Sequence, residues 1–127
     1  MAGEIVTRTA THRLGDDGIV RTVMLAGAEE TLVDAIANVR AVGTLGAGRR
    51  VPQLVDGRWM KSMPREVRAY YAGAEAERNV AAAAVLVGSP VSRAVANFVM
   101  QLARPRFPTR LFTDEAAALA WLKAFRK

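Results

Sequence analysis

The chain of 127 residues has no cysteine and one histidine, and aromatic residues make up only 6% of it. Without cysteine there are no disulfides, thiol nucleophiles or thiolate metal sites, and the composition suits a reducing compartment, so a cytoplasmic location is expected. A lone histidine and carboxylates without ligand spacing supply no metal set, and no cofactor is expected. His12 falls in a stretch that reads as an edge strand, far from any serine-rich turn. A hydrolytic triad therefore fails, and a solvated imidazole is expected. No glycine-rich nucleotide-binding pattern occurs, since Gly43, Gly46 and Gly48 follow a helical stretch instead of preceding one. No apolar run is long and uncharged enough to cross a bilayer. The opening MAGEIVTRTATHRLG lacks the basic and apolar regions of a signal peptide. Together these absences lead to the expectation that the protein is not an enzyme.

What is present is an ordinary globular balance of 51% hydrophobic and 24% charged residues, with a formal net charge of +6. Residues 1–127 are expected to form a single domain with a real core. The excess charge comes mainly from arginines scattered from Arg8 to Arg126. They form no continuous stripe and are not interleaved with aromatics, so the surface does not read as a nucleic-acid interface.

Local signals order the elements. Thr7 to Leu14 and Ile19 to Leu25 read as strands around the turn Gly15-Asp16-Asp17-Gly18. Thr31 is placed to cap a helix, with Asp34 completing a short-armed capping box, and Leu32, Ile36 and Val39 recur at helical spacing. Val51 to Asp56 is a short apolar strand. Ser62 is expected to cap a helix from about Met63 to Arg78, with Val67, Tyr71 and Ala74 inward. The run Val80 to Val87 suits a strand covered on both faces, and Ser89 with Pro90 opens the next helix. Thr109 to Phe112 reads as the last strand, and Thr113-Asp114-Glu115 caps the C-terminal helix. The expected architecture is α/β: a mixed, mostly parallel sheet of four to five strands, an antiparallel edge hairpin and about four helices.

The stretches LVDGRWMKSMPREVRAYYAG, VLVGSPVSRAVANF and PTRLFTDEAAALAWL, in that order of elements, resemble STAS domains of the SpoIIAA-like group. The likeness is to their uncharacterised bacterial STAS/SEC14-labelled branch in particular, and it spans nearly the whole chain. It implies a non-enzymatic regulatory module that binds a protein partner. Ser62 corresponds in position to the serine that partner-switching members phosphorylate. Here it stands in Lys61-Ser62-Met63-Pro64, without the Asp-Ser pair and following glycine that accompany that switch.

Two candidate surfaces follow from the residues. Helices starting after Val51–Asp56 and after Val80–Val87 point their N-termini beyond the carboxyl end of the sheet, where ligands of open α/β sheets gather. Ser62, Arg65, Ser89, Ser92 and Arg93 there offer either an anion or partner site, or two ordinary caps with solvated arginines. Trp59, Met60 and Met63 offer either an apolar contact loop or side chains folded under the second helix. Two functions are therefore expected: an interaction module that binds a protein partner or itself as a homodimer, or a carrier of a small anionic or lipidic ligand. A carrier requires a cavity.

Overall fold

The hairpin turn Gly15-Asp16-Asp17-Gly18 places Gly18 at φ +81°, a left-handed conformation that favours glycine. In the computed structural model, residues 3–59 and 63–126 are described, apart from the side chains of residues 90–92, 95, 98 and 99. The turn joins β2 (Ala10–Leu14) to β3 (Val20–Met24), and a short β1 (Glu4–Val6) precedes them. After α1 (Leu32–Gly46) come β4 (Val51–Asp56), α2 (Arg65–Tyr71) and α3 (Ala74–Asn79). The chain then runs through β5 (Val80–Leu86), α4 (Pro90–Ala103), β6 (Thr109–Phe112) and α5 (Glu115–Leu122), ending in the single turn Lys123–Phe125.

The sheet has six strands in the order β1-β2-β3-β4-β5-β6. The pairs β1/β2 and β2/β3 are antiparallel, and β3 to β6 pair in parallel. This is the expected mixed sheet with an antiparallel edge, enlarged by β1. That strand is only three residues long and has an exposed-half-buried-exposed pattern, too little for a periodic signal. The run ending in Leu86 is interior, as its apolar composition required, and lies one strand in from the edge.

Two capping expectations are met in atomic detail. Thr31 Oγ1 accepts from the Asp34 amide at 3.3 Å while Asp34 Oδ2 accepts from the Thr31 amide at 2.8 Å. Asp114 Oδ2 accepts from the Ala117 amide at 2.9 Å.

The single helix expected from Met63 to Arg78, capped by Ser62, is instead two helices, and the first has Pro64 at its N-cap position with no side-chain capping bond. A proline disfavours helical backbone at the residue before it, so Met63 cannot begin a helix. Ser62 itself lies outside the described residues. The break at Ala72-Gly73 is tertiary in origin: the Arg106 amide donates to the Ala72 carbonyl at 3.0 Å, taking up an acceptor at the end of α2. A Cβ on Gly73 would come within 3.1 Å of the Ala69 carbonyl oxygen, which favours glycine at this close approach.

Strand alternation divides the core between two faces. Leu54, Ala84, Leu86 and Phe112 meet Ala118 and Leu122 of α5 on one face. Trp121 there packs between Phe112 and Phe125, with ring centroids 5.8 and 4.9 Å away. On the other face Val20, Val51 and Val80 meet Val39 and Val42 of α1 and Ala76 of α3. Farther along this second face, α4 rests on β6 and α2.

Candidate functional site: a cavity with a polar wall

Space is left where small side chains face one another across the second layer. Ala83 on β5 opposes Ala72 and Ala76 on the α2–α3 pair and Ala96 and Ala103 on α4, around a partly open cavity of about 520 Å³. It follows β5 through Val80, Ala83, Val85 and Val87. At the usual rise per strand residue that is roughly 23 Å. Among the described residues its lining is apolar except for Thr22, Asn38, Gln53, Arg68, Tyr71 and Thr109. Gly57, just past β4, and Val87, just past β5, bring it to the carboxyl end of the parallel strands, where ligands of such sheets are expected.

One wall of the cavity belongs to a buried polar network. His12, expected to be solvated, is fully buried (0% exposed). With β1 outside it, β2 is not the edge strand, and α1 lies over the face His12 points to. Its Nε2 lies 3.0 Å from Asn38 Oδ1 and its Nδ1 2.8 Å from Thr22 Oγ1. Asn38 Nδ2 donates to Thr9 Oγ1 at 3.0 Å, to the Tyr71 hydroxyl at 2.9 Å and to Glu30 Oε2 at 3.2 Å. Thr9 donates to Glu30 Oε2 at 2.5 Å, and the Tyr71 hydroxyl donates to Glu30 Oε1. Gln53 Nε2 donates to Thr22 Oγ1 at 2.8 Å.

The titrations follow from burial and partners. Burial pushes the His12 pKa below the usual histidine value, only partly offset by the Asn38 hydrogen bond and the nearby Glu30 charge. Burial also pushes the Tyr71 hydroxyl well above the usual phenol range, so it remains a donor to Glu30. Beside the network, the Arg8 guanidinium holds the Asp34 carboxyl far below the usual carboxylate range. Arg8 Nε donates to Asp34 Oδ1 at 2.8 Å. Every buried side-chain polar atom among the described residues has a hydrogen-bond partner, as a stable buried network requires.

The residues singled out from sequence are only partly brought together. Arg65 and Arg93 are exposed on α2 and α4, and Ser89 is half-buried, its carbonyl accepting from the Arg93 amide at 2.8 Å. Ser62 and the Ser92 side chain lie outside the described residues. In the apolar loop Trp59 is 66% exposed. Met63 is half-buried against the cavity, and Met60 lies outside the described residues. The loop thus divides, Trp59 facing outward and Met63 inward. Among the described residues no cluster of His, Asp or Glu is arranged to hold a metal, and no helix is long and apolar enough to cross a membrane.

His12, Thr22, Asn38, Gln53 and Tyr71 are not among the site residues expected from the sequence. A signal existed: His12 alternates with Ala10 and Leu14, and Thr22 with Val20 and Met24. Asn38 stands in the buried stripe of Ala35, Val39 and Val42 on α1. Polar residues at core-facing positions mark a buried network, but the sequence does not show that the strand and helix meet.

A sequence family described as a domain of unknown function (DUF7793) matches residues 14–126. No curated protein matches the chain. Among solved structures, the chain is similar to an uncharacterised DUF3478-family protein with a SpoIIAA-like fold from Shewanella loihica PV-4. The TM-score is 0.56 at 10% identity, covering 96% of this chain and 92% of that one. A protein of unknown function from Arthrobacter sp. FB24 is 32% identical, over 87% of this chain and 96% of that one, with a TM-score of 0.33. The fold is SpoIIAA-like, as the resemblance in the sequence implied.

Proposed function

For this chain, which belongs to the DUF7793 family, we propose a non-enzymatic role as carrier or sensor of a small lipidic ligand held between the sheet and helices α2 and α4. The observation that carries this reading is the cavity of about 520 Å³. Packed interiors keep few voids larger than a water molecule, whereas small-molecule sites span roughly 300–1,000 Å³ and combine apolar walls with a few polar groups. A cavity at the sheet end near Arg65 and Arg93 is what separates the two expected functions; the space found reaches the sheet end without being lined by either arginine, and it supports a carrier without that anion site. Its walls suit a lipidic ligand better than a small anion, since the exposed Arg65 and Arg93 are not among its lining residues.

The test is binding of dodecane and dodecanol by the purified protein, read by calorimetry, with Ala83→Phe as the blocked variant. A ring at position 83 would stand in the middle of the cavity. Saturable binding that this variant weakens at least about tenfold supports the proposal. No binding, or equal binding by both proteins, overturns it.

An interaction module is the second reading, favoured by the exposed apolar side chains of Val23, Leu25 and Trp59. The Gly27 amide donates to the Trp59 carbonyl at 2.8 Å, so the two loops are neighbours. Such a surface suits a protein partner or a second copy of the chain.

A further inference from the structure

We infer that Gln53 selects the ligand by presenting an unfilled carbonyl oxygen to the cavity, so that the ligand is an apolar molecule bearing a neutral hydrogen-bond donor, of which a hydroxyl is the simplest. The inference rests on the carrier reading and adds the chemistry of the polar group.

Its basis is a chain of hydrogen bonds with one consistent direction. Glu30 Oε2 faces Asn38 at 3.2 Å, so the Asn38 amide must turn its nitrogen to Glu30 and its oxygen to His12. His12 Nε2 therefore carries a proton, and because burial keeps the imidazole neutral its Nδ1 is an acceptor. The Thr22 hydroxyl gives its only proton to Nδ1 at 2.8 Å. Its oxygen must then accept from Gln53, which fixes the Gln53 nitrogen toward Thr22 at 2.8 Å. The reverse orientation of the Gln53 amide would set two acceptors against each other.

Gln53 Oε1 is thus directed away from Thr22. It has no hydrogen-bond partner among the described residues, yet no buried side-chain polar atom there is unpaired, so this oxygen is accessible. Gln53 sits on an interior strand and lines the cavity. The space open to its oxygen is that cavity. An ether or alkane leaves the acceptor dry and unmatched, whereas a hydroxyl satisfies it. Arg68, which also lines the cavity, donates through Nη1 to the Met63 carbonyl at 2.6 Å.

The experiment compares dodecanol, its methyl ether, dodecanoate and dodecane on the wild-type protein, Gln53→Met and Thr22→Val. Thr22→Val keeps Gln53 but frees its amide to turn, and thermal unfolding verifies that both variants are folded. The expected result is that the wild type prefers the alcohol over the ether by about tenfold. Both variants lose that preference while still binding dodecane, and the Gln53 side-chain amide resonances shift when dodecanol is added to the wild type. Equal binding of alcohol and ether with dodecane still bound overturns this inference alone. Preference for dodecanoate overturns it in favour of Arg68. If none of the probes binds, the carrier reading fails and this inference falls with it.

Discussion

His12 Nε2 lies 3.0 Å from Asn38 Oδ1 in a fully buried contact between β2 and α1. Because Glu30 fixes the orientation of the Asn38 amide, this contact places a proton on Nε2, while burial favours the neutral imidazole. It also joins the hairpin to the helix that covers it.

Acid stability follows from that arrangement. The folded pKa of His12 is below its unfolded value of about 6.5. Its contribution is complete above pH 6.5 and is lost as pH falls through the depressed folded value, because the unfolded chain binds the proton first. Chemical denaturation from pH 7.5 to 5 should show stability falling below about 6.5. The fall should be smaller in His12→Gln. Loss from Asp34, whose carboxyl is also depressed, begins only below its usual value of 3.8, so the two windows separate. An identical slope in wild type and His12→Gln would exclude the histidine as its source.

Asn38→Leu keeps a similar volume and removes the centre of the network. His12, Thr9 and Glu30 would each lose a partner in a buried setting, and the expected cost is about 3 kcal/mol. Equilibrium unfolding in urea measures it. A loss below about 1 kcal/mol would mean that water replaces the amide without penalty.

Ala83→Phe distinguishes an open cavity from a packed core by the sign of its effect. In a full core the added ring costs about 1–3 kcal/mol. In the space that Ala83 faces it fills a void and should raise stability by about 1 kcal/mol. Thermal melts of the ligand-free variant give the answer, and marked destabilisation would argue against an open space.

Trp59→Ala should change stability by no more than about 0.5 kcal/mol, because the side chain is largely exposed. Any self-association through the Trp59 surface should weaken, which sedimentation at several protein concentrations will show. A strongly destabilised variant would place the ring in the core after all.

By itself the sequence determined the order of most elements and the ends of several, but neither β1 nor the division of the second helix. Val51–Asp56 and Thr109–Phe112 are strands with the expected limits, and the Thr31 and Asp114 caps form as their spacing required. These signals act over a few residues, between a side chain and the backbone beside it, so they are written in consecutive letters. The tertiary structure decided what depends on contacts between distant residues. His12 is buried because α1 covers its face and β1 takes the edge. The second helix divides where the Arg106 amide reaches Ala72. The cavity is lined by alanines of β5, of α3 and α4 and of the end of α2, brought together from distant parts of the chain. No local pattern encodes such a gap: each alanine is an ordinary helix or strand residue, and only the distance between the layers turns their small size into volume.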